Sequence, residues 1–215
     1  MLDYPLLFTY AVVLNTRRPP FDDVGVRRAL DLALDRAEIV DGFIFGFGTA
    51  ATGPVPPGVP GALPPPTTPH APDSARALLA GRRPALELLT VGSGEAALEQ
   101  MIQAQLAEVG FRVRIRQLEL SAFLDRVYGP RPEFDAAVLG IPGDLGLGYV
   151  APLGDLAGIE LPSDPSAAQR AIAREVPVAF LYHARGVQGA NTRVRGVTMD
   201  VRGELATVSE WWTER

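Results

Sequence analysis

Apolar positions near the start of the chain change period in a way that marks two elements and the turn between them. Residues 6–14 form a near-continuous apolar run, Leu-Leu-Phe-Thr-Tyr-Ala-Val-Val-Leu, the pattern of a strand buried on both faces rather than of one that alternates. Pro19 and Pro20 keep a helix from starting early, because each lacks a backbone N–H and fixes its own φ. Asp22 or Asp23 then stands where a side chain accepts from the free amides of a first helical turn, so the pattern predicts a helix from about Val24. Its apolar stripe is Val26, Ala29, Leu30, Ala33 and Leu34, with Arg27, Arg28 and Asp31 on other faces. A second helix is expected over residues 37–45.

Between Pro54 and Pro72 there are nine prolines in nineteen residues, which excludes helix and central strand alike. This stretch is expected to be an ordered or semi-rigid loop, either an interdomain linker or, in preference, a wrap over the surface of one compact domain. Asp73 is then expected to cap a short helix at 75–79. The clearest unit follows: strand at 86–91, helix at 95–109, strand at 111–118. Leu98, Met101, Ile102, Leu106 and Val109 share one helical face, and Gly110 stands where a left-handed cap is wanted. In the second strand Val113 and Ile115 alternate with Arg112, Arg114 and Arg116, so one face is expected in the core and a three-arginine face in solvent. A short helix at 121–128, a strand at 134–139, a helix at 165–174 and a strand at 176–183 complete the main pattern. The alternation predicts an α/β fold, a predominantly parallel or mixed sheet flanked by helices. Residues 1–215 read as one domain, ending in a tail over 194–215 whose Trp211 and Trp212 are expected to anchor it to the core.

Composition narrows the function. Twenty arginines against 25 acidic residues leave a net charge of −5, without the basic excess that phosphate-backbone contacts need, so no nucleic acid is expected as partner. The absence of cysteine excludes disulfides, thiolate nucleophiles and thiolate metal sites. No apolar run is long enough to span a bilayer, and the first ten residues carry no export-signal pattern. No Gly-x-Gly-x-x-Gly or Walker pattern opens a helix, and Gly46-Phe47-Gly48 reads as a turn. His70 and His183 lie in unrelated contexts, which argues against a metal site. Ser93, between Gly92 and Gly94, superficially resembles a nucleophile elbow, but Val91 and Glu95 occupy the places where that motif needs glycine. A strand-to-helix turn, with Ser93 or Gly94 near the cap, is the expectation. No cofactor is implied, and no nucleophile, base or metal constellation marks an enzyme.

One long motif carries more. Residues 15–30, Asn-Thr-Arg-Arg-Pro-Pro-Phe-Asp-Asp-Val-Gly-Val-Arg-Arg-Ala-Leu, resemble the signature of family 5 solute-binding proteins of ABC transporters, the peptide-binding type. The likeness continues through Ala33-Leu34-Asp35-Arg36, Gly53-Pro54-Val55-Pro56-Pro57-Gly58, residues 102–110, Phe134-Asp135-Ala136-Ala137 and residues 175–182. Members are about twice this length, so the resemblance implies the C-terminal lobe of a type II periplasmic-binding-protein-like fold, with an N-terminal lobe as its counterpart. It implies a peptide or other small solute as ligand, a membrane permease as docking partner and a periplasmic or extracytoplasmic location. In peptide-binding relatives a Trp-x-x-Asp element follows the cleft strand, its Asp pairing with the ligand's α-ammonium. Ile141 and Asp144 stand at those places here, so the ligand-binding set implied is Ile141, Gly143, Asp144 and Tyr149. Asp144 has a second reading, as the stabiliser of a Gly-rich turn. The family's helical segment between residues 144 and 175 is shortened. The same module fused to a DNA-binding domain in regulators makes ligand sensing the alternative function.

Overall fold

The computed structural model describes residues 2–64 and 70–213. Residues 65–69 of the proline-rich stretch lie outside them. The elements in chain order are β1 (Leu2–Leu14), α1 (Val24–Ala33), α2 (Arg36–Phe43), β2 (Gly48–Ala50), α3 (Pro72–Leu79), β3 (Ala85–Val91), α4 (Ala97–Val109), β4 (Arg112–Leu118), α5 (Leu120–Tyr128), β5 (Ala136–Pro142), α6 (Pro152–Ala157), α7 (Pro165–Glu175), β6 (Val178–Gln188), β7 (Val194–Arg195) and β8 (Trp212–Thr213). Six strands make one sheet in the order β2-β6-β1-β5-β3-β4. All five strands expected from the sequence belong to it, together with β2. The sheet is mixed: β3 runs parallel to β4 and β5, whereas β1 is antiparallel to β5 and β6, and β2 to β6.

Helices cover both faces. Val12 and Leu14 of β1 pack with α1, α3 and α4, while Ala11 and Val13 face α5, α6 and α7. Both sets are fully buried, which is the two-sided burial that the apolar run in β1 predicts. The cap of α1 is Asp23, whose carboxylate accepts from the Gly25 amide at 2.7 Å. Its whole apolar stripe is buried.

Several expectations are corrected. Val113 and Ile115 are only half-buried, because β4 is the sheet's outer strand and has a neighbour on one side alone. Arg112, Arg114 and Arg116 do face solvent, with Arg116 3.5 Å from Glu87. Helix α3 starts at Pro72, with Ala71 as its cap and Asp73 within its first turn; proline suits that first position because its missing N–H would have no partner there. Helix α4 starts only at Ala97, two residues later than expected, with Ala96 rather than Ser93 or Gly94 at its cap position. Arg27 is buried, its guanidinium donating to the carbonyls of Phe21 (2.7 Å) and Glu175 (2.8 Å). Trp212 is 55% exposed, and the Trp211 indole donates to Thr207 within the tail. The tail meets the sheet instead through Glu204, which accepts from Tyr4 and Gln188.

Gly110 ends α4 at φ 111°, its amide bonding the carbonyls of Ala107 and Leu106. A Cβ is strained at that φ. Gly110→Ala is therefore expected to cost about 1–2 kcal/mol, seen as a fall of several degrees in the melting temperature; an unchanged melting temperature would show that the cap relaxes freely.

Candidate functional site

The parallel strands β3, β4 and β5 all end on one side of the sheet, where the chain leaves at Gly92, Glu119 and Gly143. Crevices at carboxyl ends of this kind are the usual ligand sites of α/β sheets. Two cavities open there, of about 540 and about 560 Å³, and they share Tyr128 and Gly140. Val91, Leu120, Leu124 and Tyr128 rim the first and are 43–57% exposed. Exposed apolar side chains gathered at a cavity mark a surface that expects a ligand or partner.

Tyr10, in the wall of the first cavity, belongs to an aromatic group. Tyr10 stacks on Tyr182 with centroids 4.7 Å apart, and Phe8 meets Tyr10 edge-on at 5.3 Å. Gly140 makes this possible, since a Cβ there would stand 2.4 Å from the Phe8 ring. Burial, with Tyr10 and Glu99 nearby, pushes the Tyr182 phenol far above its usual range, so it stays neutral.

The residues implied by the resemblance are not equivalent in space. Ile141 and Tyr149 both line the second cavity. Ile141 is buried. Gly143 backs the Tyr149 ring, to which a Cβ would approach within 3.1 Å. The Tyr149 hydroxyl donates to the Pro54 carbonyl at 2.9 Å, and burial together with the Asp144 charge holds that phenol protonated well above the usual range. Asp144 is exposed and lines neither cavity. Its backbone oxygen accepts from Leu147 at 3.2 Å and its carboxylate faces the Gly148 amide at 3.4 Å. Those contacts are turn chemistry. Arg17 lines the second cavity and donates to the Asp155 carbonyl at 2.7 Å.

A residue that sequence reasoning passed over lies in the first cavity. Glu99, 8% exposed, accepts from the Thr90 hydroxyl at 2.6 Å. In sequence it is one of several polar positions on an amphipathic helix, and no local signal marks it. A third, smaller cavity of about 260 Å³ lies under the proline loop, beside Thr52 and His183. Among the described residues no group of three or more His, Cys, Asp or Glu is placed to hold a metal, and no helix is long and apolar enough to cross a membrane.

A mixed sheet with helices on both faces and a cleft at its carboxyl ends defines the fold of a periplasmic binding protein. The match to solved structures bears this out. HbpA2 from Haemophilus parasuis superposes with a TM-score of 0.82 at 23% identity, over 100% of this chain and 50% of its own. The oligopeptide-binding protein AppA from Bacillus subtilis, solved with a nonapeptide, gives 0.78 at 19% identity over 100% and 52%. Residues 2–149 match the profile of bacterial extracellular solute-binding proteins, family 5, middle region. The chain belongs to that family. A probable di/tripeptide-binding protein 5 from Pseudomonas aeruginosa is 38% identical over 150 residues, 66% of this chain and 28% of the relative. The chain thus spans about half the length of these solved structures and about a quarter of that curated relative.

Proposed function

We propose that the chain is the C-terminal lobe of an ABC-transporter substrate-binding protein that captures peptides or similar small solutes outside the cytoplasm and presents them to a membrane permease. It acts by binding rather than by catalysis. The observation that carries this reading is the pair of adjoining cavities at the carboxyl ends of β3, β4 and β5, rimmed by exposed apolar side chains. Family membership and the di/tripeptide-binding relative support it. The solute would lie across this face with a second lobe closing over it, a hinge motion that needs both walls. Ile141 and Tyr149 would shape the second cavity, with Gly143 behind the Tyr149 ring, and Asp144, exposed and close enough to Tyr149 for its charge to act on that phenol, would meet the α-ammonium.

One wall leaves a solute hydrated. An exposed ion pair at Asp144 contributes no more than about 1 kcal/mol, against the roughly 8 kcal/mol of micromolar affinity. The 215-residue chain is therefore expected to bind di- to pentapeptides weakly or not detectably. In a titration followed by amide chemical shifts, saturable changes should be confined to residues of the two cavities. Saturable shifts centred elsewhere on the surface would sink the reading. Micromolar affinity abolished by Asp144→Ala would show instead that this lobe alone forms a sufficient site.

A further inference from the structure

Glu99 is a buried carboxylate with a single hydrogen-bond donor. The Thr90 hydroxyl serves Oε1 at 2.6 Å, and among the described residues nothing hydrogen-bonds Oε2 and no cation pairs with the side chain. Thr90 is itself buried, 6% exposed. Oε2 is not a fully buried atom and opens to the cavity, where a ligand group can meet it. The first turn of α4 favours an acidic group at this place, since Glu99 follows Ala97 and Leu98 at the positive end of the helix. The rest of the surroundings point the same way in charge. Among the described residues no arginine and no histidine lines this cavity, whereas Glu95 stands at its rim and Glu99 inside. The walls include four aromatic rings, Tyr10, Phe43, Phe123 and Tyr128. Aromatic faces around a carboxylate attract organic cations twice over, through the ring quadrupole and through a charge-assisted hydrogen bond.

We propose that this cavity is a cation subsite in which Glu99, oriented by Thr90, receives an ammonium or guanidinium group of the bound solute. The inference rests on the reading of this face as the solute cleft and narrows the solute class. With the α-ammonium at Asp144, as proposed above, the group bound at Glu99 is a second charge, because Asp144 lies outside this cavity. The favoured solutes are then peptides bearing a basic side chain, or small molecules of like charge pattern. Thr90 is a positioning residue: its hydroxyl holds Oε1 and leaves Oε2 for the ligand.

The test titrates the intact 215-residue chain with methylguanidinium chloride and, separately, with N-methylurea, its neutral isostere, at constant ionic strength. Amide chemical shifts are followed throughout. Methylguanidinium should give saturable shifts at Thr90, Val91, Glu99 and Gln117, and N-methylurea should give little. Glu99→Gln keeps an oxygen for Thr90 but loses the charge, and should weaken methylguanidinium by about tenfold or more. Equal binding of the two probes by the unsubstituted chain would overturn the proposal without recourse to any variant. So would affinity unaltered in Glu99→Gln, no saturable shift with methylguanidinium, or shifts centred on Asp144 and Tyr149. Peptide binding without preference for basic side chains, and insensitive to Glu99→Gln, would remove the subsite yet leave the solute-binding reading standing. Methylguanidinium binding at Glu99, with peptide binding centred outside both cavities, would do the reverse.

Discussion

Replacing Arg36 with methionine is expected to remove about 3–5 kcal/mol of unfolding free energy, the range for breaking a buried ion pair by deleting one partner. Arg36 is 6% exposed and opens α2. Its Nε donates to the carbonyls of Ala51 (2.9 Å) and Phe180 (2.7 Å), and its Nη1 to those of Asp31 (3.1 Å) and Leu34 (3.3 Å). Nη2 pairs with the Asp31 carboxylate. One guanidinium therefore caps the carbonyl end of α1 and ties it to β6 and to the residue following β2. Burial raises the Asp31 pKa, and the attraction of Arg36 works against that rise. Without Arg36, Asp31 loses its counter-charge and four buried or half-buried carbonyls lose a donor. Methionine preserves much of the apolar stem, so the loss reports the polar contacts. Lysine should rescue only part, because one ammonium cannot serve carbonyls spread around a planar fork. The measurement is the urea midpoint at unchanged slope. A loss below about 1 kcal/mol would place Arg36 among ordinary surface ion pairs.

Lowering the pH from about 7 to about 4 should cost roughly 2–3 kcal/mol through His183 alone. His183 is 5% exposed, in register with Thr9 of β1 and Thr49 of β2, and its Nδ1 lies 2.9 Å from the Thr9 hydroxyl. Burial pushes its pKa from 6.5 down to about 4. In the unfolded chain the imidazole takes up a proton near 6.5, whereas in the folded chain it does so only near 4. Between those values the unfolded state binds more protons, so stability is complete above about 6.5 and falls with pH through the window. Carboxylates add their own losses at the lower end. The informative quantity is thus the difference between the original chain and His183→Gln: the variant's stability should change less between about pH 7 and pH 5. Parallel profiles over that interval, or an imidazole seen by NMR to titrate near its ordinary value, would refute the prediction.

The local grammar of this fold was legible before any coordinates. The stripe Val26-Ala29-Leu30-Ala33, the Asp23 cap, the α4 stripe and the Gly110 cap all stand where the sequence puts them. Apolar period and capping chemistry depend on residues a few positions apart, and those are visible in one segment. The motif over residues 15–30 carried the family in the same way. Strand order was decided elsewhere. The placing of β1 between β5 and β6, antiparallel to both, joins residues more than a hundred positions apart; nothing within β1 names its partners. The exposure of Val113 and Ile115 followed from β4 taking the outer place in that order. Buried polar groups were hidden for the same reason. Arg36 acquires its role only when the Phe180 carbonyl, 144 positions away, comes within 2.7 Å. Glu99 looks like a solvated helix residue until β3 brings Thr90 against it and the ends of β4 and β5 close a cavity around it. Sequence by itself determined most of the elements, the cap of α1 and the end of α4, and the family; the burial of charge was decided by tertiary structure, because desolvation depends on everything that surrounds a group and not on its neighbours in the chain.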